Sequence, residues 1–389
     1  MSGGWRALVR RLGMGKRSGS AGEPARSTGE VTEGVRYSMT TEDGPDGIPV
    51  IDITLHMTPE AMARWSLSAT LEAKGENHPD TLTAEYALAD VLWGQGSLDE
   101  ALELLRHVVA GRRAVLGHSH ADTLAATSFL ARALEKLGEL AEADQLMRMV
   151  WAEYRRTVGE SDPLTLTSLA LVARLLLRRD RPAEAEQLVR QALSGRERVL
   201  GADHPDTLKS RNDLAAAIRA QGRLEEAERM YGQVARDADR LFGSADPLSL
   251  DAHANRAAVL AHQGRWAEAE RVYRTVVARR VRSHPGHEDT LQAQNNLASI
   301  LHSAGKPQEG EALMRTVVRS RSELFGADHP GTLDSLSSLA AMLHNQGRRA
   351  EAVALCRKVV AGAERRFGPR DPRTVEARDN LRLVRETGD

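Results

Sequence analysis

The feature that most constrains this chain is a wording that returns every 42 residues. His204-Pro205-Asp206-Thr207-Leu208 has counterparts beginning at His78, His120, Asp162, Asp246, His287, His329 and Asp371. Start follows start by 42 residues throughout, except for 41 between Asp246 and His287. A fixed period of this length means an array of supersecondary units. One unit cannot bury its apolar face alone, so neighbours stack into a shared core. The period therefore overrides the two or three globular domains that 389 residues would otherwise suggest.

The unit reads as a helical hairpin. Asp162, Asp246 and Asp371 are natural N-caps, and Pro163, Pro247 and Pro372 occupy the first turn, where no backbone donor is missed. In the copy from His204, Leu208, Leu214, Ala215 and Ile218 share one helical face. Gly222 ends that helix, with Gly96, Gly138, Gly264, Gly305 and Gly347 as equivalents and Asp180 the sole substitute. The second helix opens on Glu225 and Glu226, which suit the positive end of a helix dipole. Its inward face is Ala227, Met230, Tyr231 and Val234. A small residue returns at Ala101, Ala143, Ala185, Ala227, Ala269, Gly310 and Ala352, which predicts a close helix crossing. A Leu there would push the helices apart at a cost of roughly 1–3 kcal/mol. Leu-Gly or Phe-Gly closes the hairpin, but the copy from Asp246 ends Arg279-Arg280-Val281-Arg282-Ser283-His284-Pro285-Gly286, one residue short, and a local kink is expected there.

Composition excludes several classes. A net charge of -1 argues against a general nucleic-acid binder, so no nucleic acid is expected as a partner. The single cysteine, Cys356, allows no intrachain disulfide and lies on an apolar face, where a buried thiol is expected. No run approaches the ~18 apolar residues of a membrane span, and no secretory signal is evident, so a cytoplasmic location is expected. Trp5 to Leu12 is short, basic and amphipathic, and reads as a frayed terminal turn or, as the alternative, a stretch that touches a membrane surface or a partner. Gly13 to Ser18 lacks the glycine spacing of a phosphate loop. Residues 18–47 read as a flexible tail, and Ile48 to Leu55 as an extended segment laid against the first helix or, as the alternative, a strand that pairs with a partner. Thr58-Pro59-Glu60 then starts a helix with Met62, Trp65 and Ala69 at helical spacing, expected to cover the open end of the stack.

Leu-Ala…Gly…Ala in a helix–turn–helix frame resembles the tetratricopeptide repeat. The 42-residue period, with wording such as His204-Pro205-Asp206-Thr207-Leu208, Asn295-Asn296-Leu297-Ala298 and Gln221-Gly222-Arg223, is similar to the variant of kinesin light chains and many bacterial proteins. The resemblance implies an all-α, right-handed α-solenoid of stacked antiparallel helix pairs, a superhelix preceded by a disordered N-terminal tail. The expected organisation is a tail over 1–47, an extended segment and capping half repeat over 48–77, seven repeats over 78–370, and a closing helix over 371–389.

The same resemblance implies that first helices line a concave groove where partner peptides bind. Counting from each start then places Asn212, Asn255, Asn295, Asn296, Ser299, Lys209 and Asp251 on or beside that groove. Arg132, Arg174, Tyr86, His302, His344 and Asn345 are the further candidates. Asn suits such a row because its amide both donates to and accepts from the main chain of an extended peptide. Arg132 and Arg174, one period apart, would suit an acidic group. His302 and His344 alone make too few ligands for a metal.

No HExxH, GxSxG, CxxC or phosphate loop is present, and His78, His120, His204 and His329 are explained as start signals of the repeat. The expectation is a non-catalytic scaffold or adaptor, without cofactor, that binds a protein or extended peptide. The alternative is a sensing subunit of a bacterial signalling system acting with a separate effector chain. Self-association through the closing helix is a third arrangement.

Overall fold

A computed structural model describes residues 26–32, 35–43 and 49–386, with side chains from His56 onward. Strands β1 (Arg26–Thr32), β2 (Val35–Asp43) and β3 (Pro49–Met57) form an antiparallel sheet in that order, with Val35 opposite Met57 and Asp43 opposite Pro49. Sixteen helices follow among the described residues: α1 (Pro59–Lys74), α2 (Pro79–Gln95), α3 (Leu98–Leu116), α4 (Ala121–Leu137), α5 (Leu140–Thr157), α6 (Pro163–Arg178), α7 (Pro182–Leu200) and α8 (Pro205–Ala220), then α9 (Leu224–Phe242), α10 (Pro247–His262), α11 (Trp266–Ser283), α12 (Glu288–Ser303), α13 (Pro307–Phe325), α14 (Pro330–Asn345), α15 (Arg349–Phe367) and α16 (Pro372–Glu386). Helix contacts divide the chain into two units, 1–168 and 169–389, with the boundary inside α6.

Residues 26–32 and 35–43, expected as flexible tail, thus run as two strands. The β-branched run Val50–Thr54 carries backbone donors and acceptors that need partners, and β2 supplies them. Average composition cannot register such pairing. Trp5 to Leu12 and the remainder of the expected tail lie outside the described residues.

The helix ends follow the sequence signals. Asp162, Asp246 and Asp371 accept from the amide two residues on at 2.8–2.9 Å. His78, His120, His204, His287 and His329 cap in the same way through Nδ1, at 3.1–3.3 Å. At the far end the chain turns left-handed, and Asp180 (φ 56°) is the one non-glycine among the described residues to do so. The kink expected near Arg279 does not break α11, which is one helix to Ser283. The missing residue is absorbed at its end, where His284 (φ −143°) stands in place of a left-handed glycine.

In the first unit α1 to α5 pack each on the next, as do α7 to α16 in the second. The recurring alanines Ala101, Ala143, Ala185, Ala227, Ala269 and Ala352 are all fully buried. Helix α1 covers the stack end, but with a different face from the expected one. Ala63 and Leu67 pack against Leu88, Leu92 and Ala101, whereas Met62 and Trp65 are 56% and 66% exposed. Both stripes satisfy a helical period, and the smaller one lets the helices approach.

A buried arginine fastens second helices to the next first helix. Arg112, Arg196 and Arg321 each donate from Nη1 to the carbonyl ten residues on, at Asp122, Asp206 and Gly331, over 2.8–3.0 Å. Ion pairs also join successive second helices, such as Arg106–Glu142 at 2.6 Å and Arg274–Glu309 at 2.6 Å. Those are solvent-exposed and individually contribute little.

Candidate functional site

The side chains that gather on one face belong to α8, α10 and α12 with α11 behind them. Two hollows of ≈330 Å³ each adjoin there, sharing Tyr273 and Asn296 in their walls. The first is polar. Asn212, Asp251, Asn255, Arg280, Asp289 and Gln292 line it. Asn255 Nδ2 donates to Asn212 Oδ1 at 3.4 Å, and Asn296 Nδ2 donates to the Tyr273 hydroxyl at 2.9 Å while its Oδ1 accepts from Gln292 at 3.0 Å. These bonds leave each amide spare capacity for a ligand. The second hollow is mainly apolar, formed by Ala258, Ala261, Trp266 and Ile300, with Ser299 at its edge.

Charge in the polar hollow is unevenly matched. Arg280 Nη2 meets Asp251 Oδ1 at 2.5 Å, and its Nη1 lies 3.9 Å from Asp289 Oδ2. The Asp251 side chain opens into the hollow, yet the helices around it thin out the water. That enclosure pushes its carboxyl above its ordinary value, and the pull of Arg280 only partly offsets this. Burial likewise raises the Tyr273 hydroxyl, against the bond from Asn296. Asp213, one turn from Lys209, is also raised by burial, with Lys209, Arg174 and Arg196 pulling the other way.

Four of the sequence candidates, Asn212, Asp251, Asn255 and Asn296, therefore meet in the polar hollow, and Ser299 borders the apolar one. Lys209 and Arg174 stand by Asp213. His344 and Asn345 line a separate hollow of ≈300 Å³ between α14, α15 and α16, floored by Cys356. In the first unit, Tyr86 packs edge-on against Phe129 at 5.6 Å, under the Arg112 guanidinium at 4.9 Å. Arg132 lies over the Phe129 ring at 5.9 Å.

Two candidates fall elsewhere. Asn295 is 8% exposed, and its Oδ1 accepts from Ser335 Oγ at 3.0 Å, inside the buried network around Arg321. Neighbouring residues on a helix differ by about 100° in direction, so Asn295 and Asn296 cannot both face the hollow. His302 lines neither hollow. Its backbone and Cβ back the α12–α13 crossing at Gly310. Sequence reasoning missed Arg280, Gln292, Trp266 and Tyr273 as wall residues. For Arg280 a signal existed in the shortened copy; for Tyr273 the inward period pointed to core packing alone.

One constellation resembles catalytic machinery without its logic. Ser249 and His253 both bond Asp239, the His Nε2 at 3.0 Å, so the serine has a carboxylate rather than the imidazole beside it. Burial works against the Asp239 charge, but these bonds and Arg279 outweigh it and hold the carboxyl below its usual range. Among the described residues no three His, Cys, Asp or Glu gather as a metal site.

A sequence profile described as the tetratricopeptide repeat matches residues 80–152, 122–198, 164–240, 248–309 and 289–365, well over half of the chain. The chain belongs to the tetratricopeptide repeat family. Solved structures of such repeats are similar to it. Nearly identical TPR-like repeats from Podosopora anserina, of the kinesin light chain type, are 28% identical over 51% of this chain and 95% of that one, with a TM-score of 0.47. BtubC from P. vanneervenii is 22% identical over 61% and 92%, with a TM-score of 0.46. Aspartyl phosphate phosphatase F from Bacillus subtilis is 12% identical over 79% and 75%, with a TM-score of 0.54, a likeness of fold alone. No curated protein matches the sequence. The tetratricopeptide fold serves chiefly as a scaffold for protein interaction, and no described helix is long and apolar enough to cross a membrane.

Proposed function

We infer that this protein is a non-catalytic scaffold that holds an extended peptide, or such a segment of a larger protein, against the first helices α8, α10 and α12. The observation that carries this reading is the cluster of Asn212, Asn255 and Asn296 around one polar hollow, with an apolar hollow beside it. Amides spaced over successive repeats can bond a peptide main chain whatever its side chains, while the apolar hollow adds contact area that a main chain lacks. Affinity then accumulates from shallow contacts over several repeats.

The test is affinity capture followed by titration with the captured partner. The combined change Asn212→Ala, Asn255→Ala and Asn296→Ala should weaken binding by roughly tenfold, about 1.4 kcal/mol, with thermal melting unchanged. Wild-type affinity in a folded triple variant would remove the groove assignment. Asn295→Ala is the contrasting case: it should lower melting, because Asn295 belongs to the buried network.

A further inference from the structure

The one irregular copy builds something that the regular copies lack. Arg112, Arg196 and Arg321 are at most 7% exposed and each gives Nη1 to a carbonyl of the next first helix, while Arg321 also gives Nη2 to Glu288 and Gln292 of the preceding one. With one residue missing beyond α11, Arg280 turns to Asp251 instead, and its Nε is buried without a partner among the described residues. The polar hollow consequently holds two carboxylates against one guanidinium, and that guanidinium's short contact is already with Asp251. Among the described residues, Asp289 has ion-pair partners in Arg280 at 3.9 Å and the His287 ring at 3.5 Å, and its own side chain is 69% exposed. Asp246 adds to the negative potential around Asp251. An incoming anion would face this excess, whereas a cation would relieve it.

Across the shared wall of Tyr273 and Asn296, the apolar hollow offers Trp266, Ile300, Ala258 and Ala261. We propose that the two hollows together read a pair of side chains on the bound segment: an apolar one seated beside Trp266 and Ile300, and a lysine or arginine held by Asp251 and Asp289. The two side chains lie within two positions of each other, since alternate residues of an extended chain share a face. This specificity rests on the reading that the first helices hold an extended segment; of the other copies, three bury the equivalent arginine against the next first helix and three carry Tyr154, Ala238 or Ala363 in its place.

The test uses short random peptides displayed on phage and selected against the full-length chain, against Asp251→Asn/Asp289→Asn, and against Trp266→Ala. Selection on the wild type should enrich a basic residue within two positions of Leu, Ile, Phe or Met by about tenfold over the input, as for a contact worth about 1.4 kcal/mol. The double Asn variant should lose the basic preference and keep the apolar one, and Trp266→Ala should do the reverse. Thermal melting of each variant confirms that it folds. Enriched peptides without a basic preference, or with one that the double variant retains, overturn this specificity and leave the scaffold reading standing. No enrichment on a folded wild-type chain counts against both, and the asparagine titration then separates them.

Discussion

Arg321→Ala is expected to destabilise the C-terminal copies by about 3 kcal/mol. Arg321 is fully buried. Its Nη1 donates to Gly331 O at 2.8 Å and Ser335 Oγ at 2.7 Å, and its Nη2 to Glu288 Oε1 at 2.7 Å and Gln292 Oε1 at 2.8 Å. Removing one side of a buried pair leaves the other unpaired, which costs about 3–5 kcal/mol. The low end applies because Glu288 is half-exposed and water can take over part of the lost contact. Arg321→Lys should recover little, since an ammonium cannot reproduce a planar fork serving four acceptors. The control is Arg106→Ala, which removes two short bonds to Glu142 on an exposed edge and should cost under about 1 kcal/mol. Urea unfolding gives both numbers, and amide exchange should locate the Arg321 effect in α12 to α16, because repeat stability is a sum of nearest-neighbour terms. Equal losses in the two variants would mean that the buried arginine does not hold the junction.

Gly310→Ala is expected to destabilise by about 1–2 kcal/mol, although alanine is the better helix former by about 1 kcal/mol. An added Cβ would lie 2.6 Å from the Ala298 carbonyl oxygen and 3.0 Å from the His302 amide nitrogen. Both are backbone atoms of α12, so no side chain can swing aside and the helices must separate. The other copies carry alanine at this position, which makes the α12–α13 crossing the tight one. Gly232→Ala supplies the contrast: its added Cβ meets nothing nearer than 3.5 Å, so that variant should be neutral or gain up to about 1 kcal/mol. A Gly310→Ala protein as stable as the wild type would show that α13 has room to move.

The candidate face was only half legible in the sequence. Counting from each start brought Asn212, Asp251, Asn255 and Asn296 to one hollow, because a repeat carries each position to the same side of its helix. The count failed at Asn295, where one residue's rotation separates a wall from the core, and at His302, which the α12–α13 crossing claims. It also passed over Arg280. An arginine at a helix end reads as solvated, and nothing local tells that its regular counterparts are buried.

By itself the sequence determined the period, the sixteen helix positions, their caps and the small residues where helices cross. All of these depend on contacts within a few residues or on repetition. Tertiary structure alone decided which stripe of α1 packs, that residues 26–32 and 35–43 pair as strands, and where each arginine of the junctions goes. Those outcomes depend on competition between faces and partners distant in the chain, and the partner's distance, rather than the residue's type, selects among them.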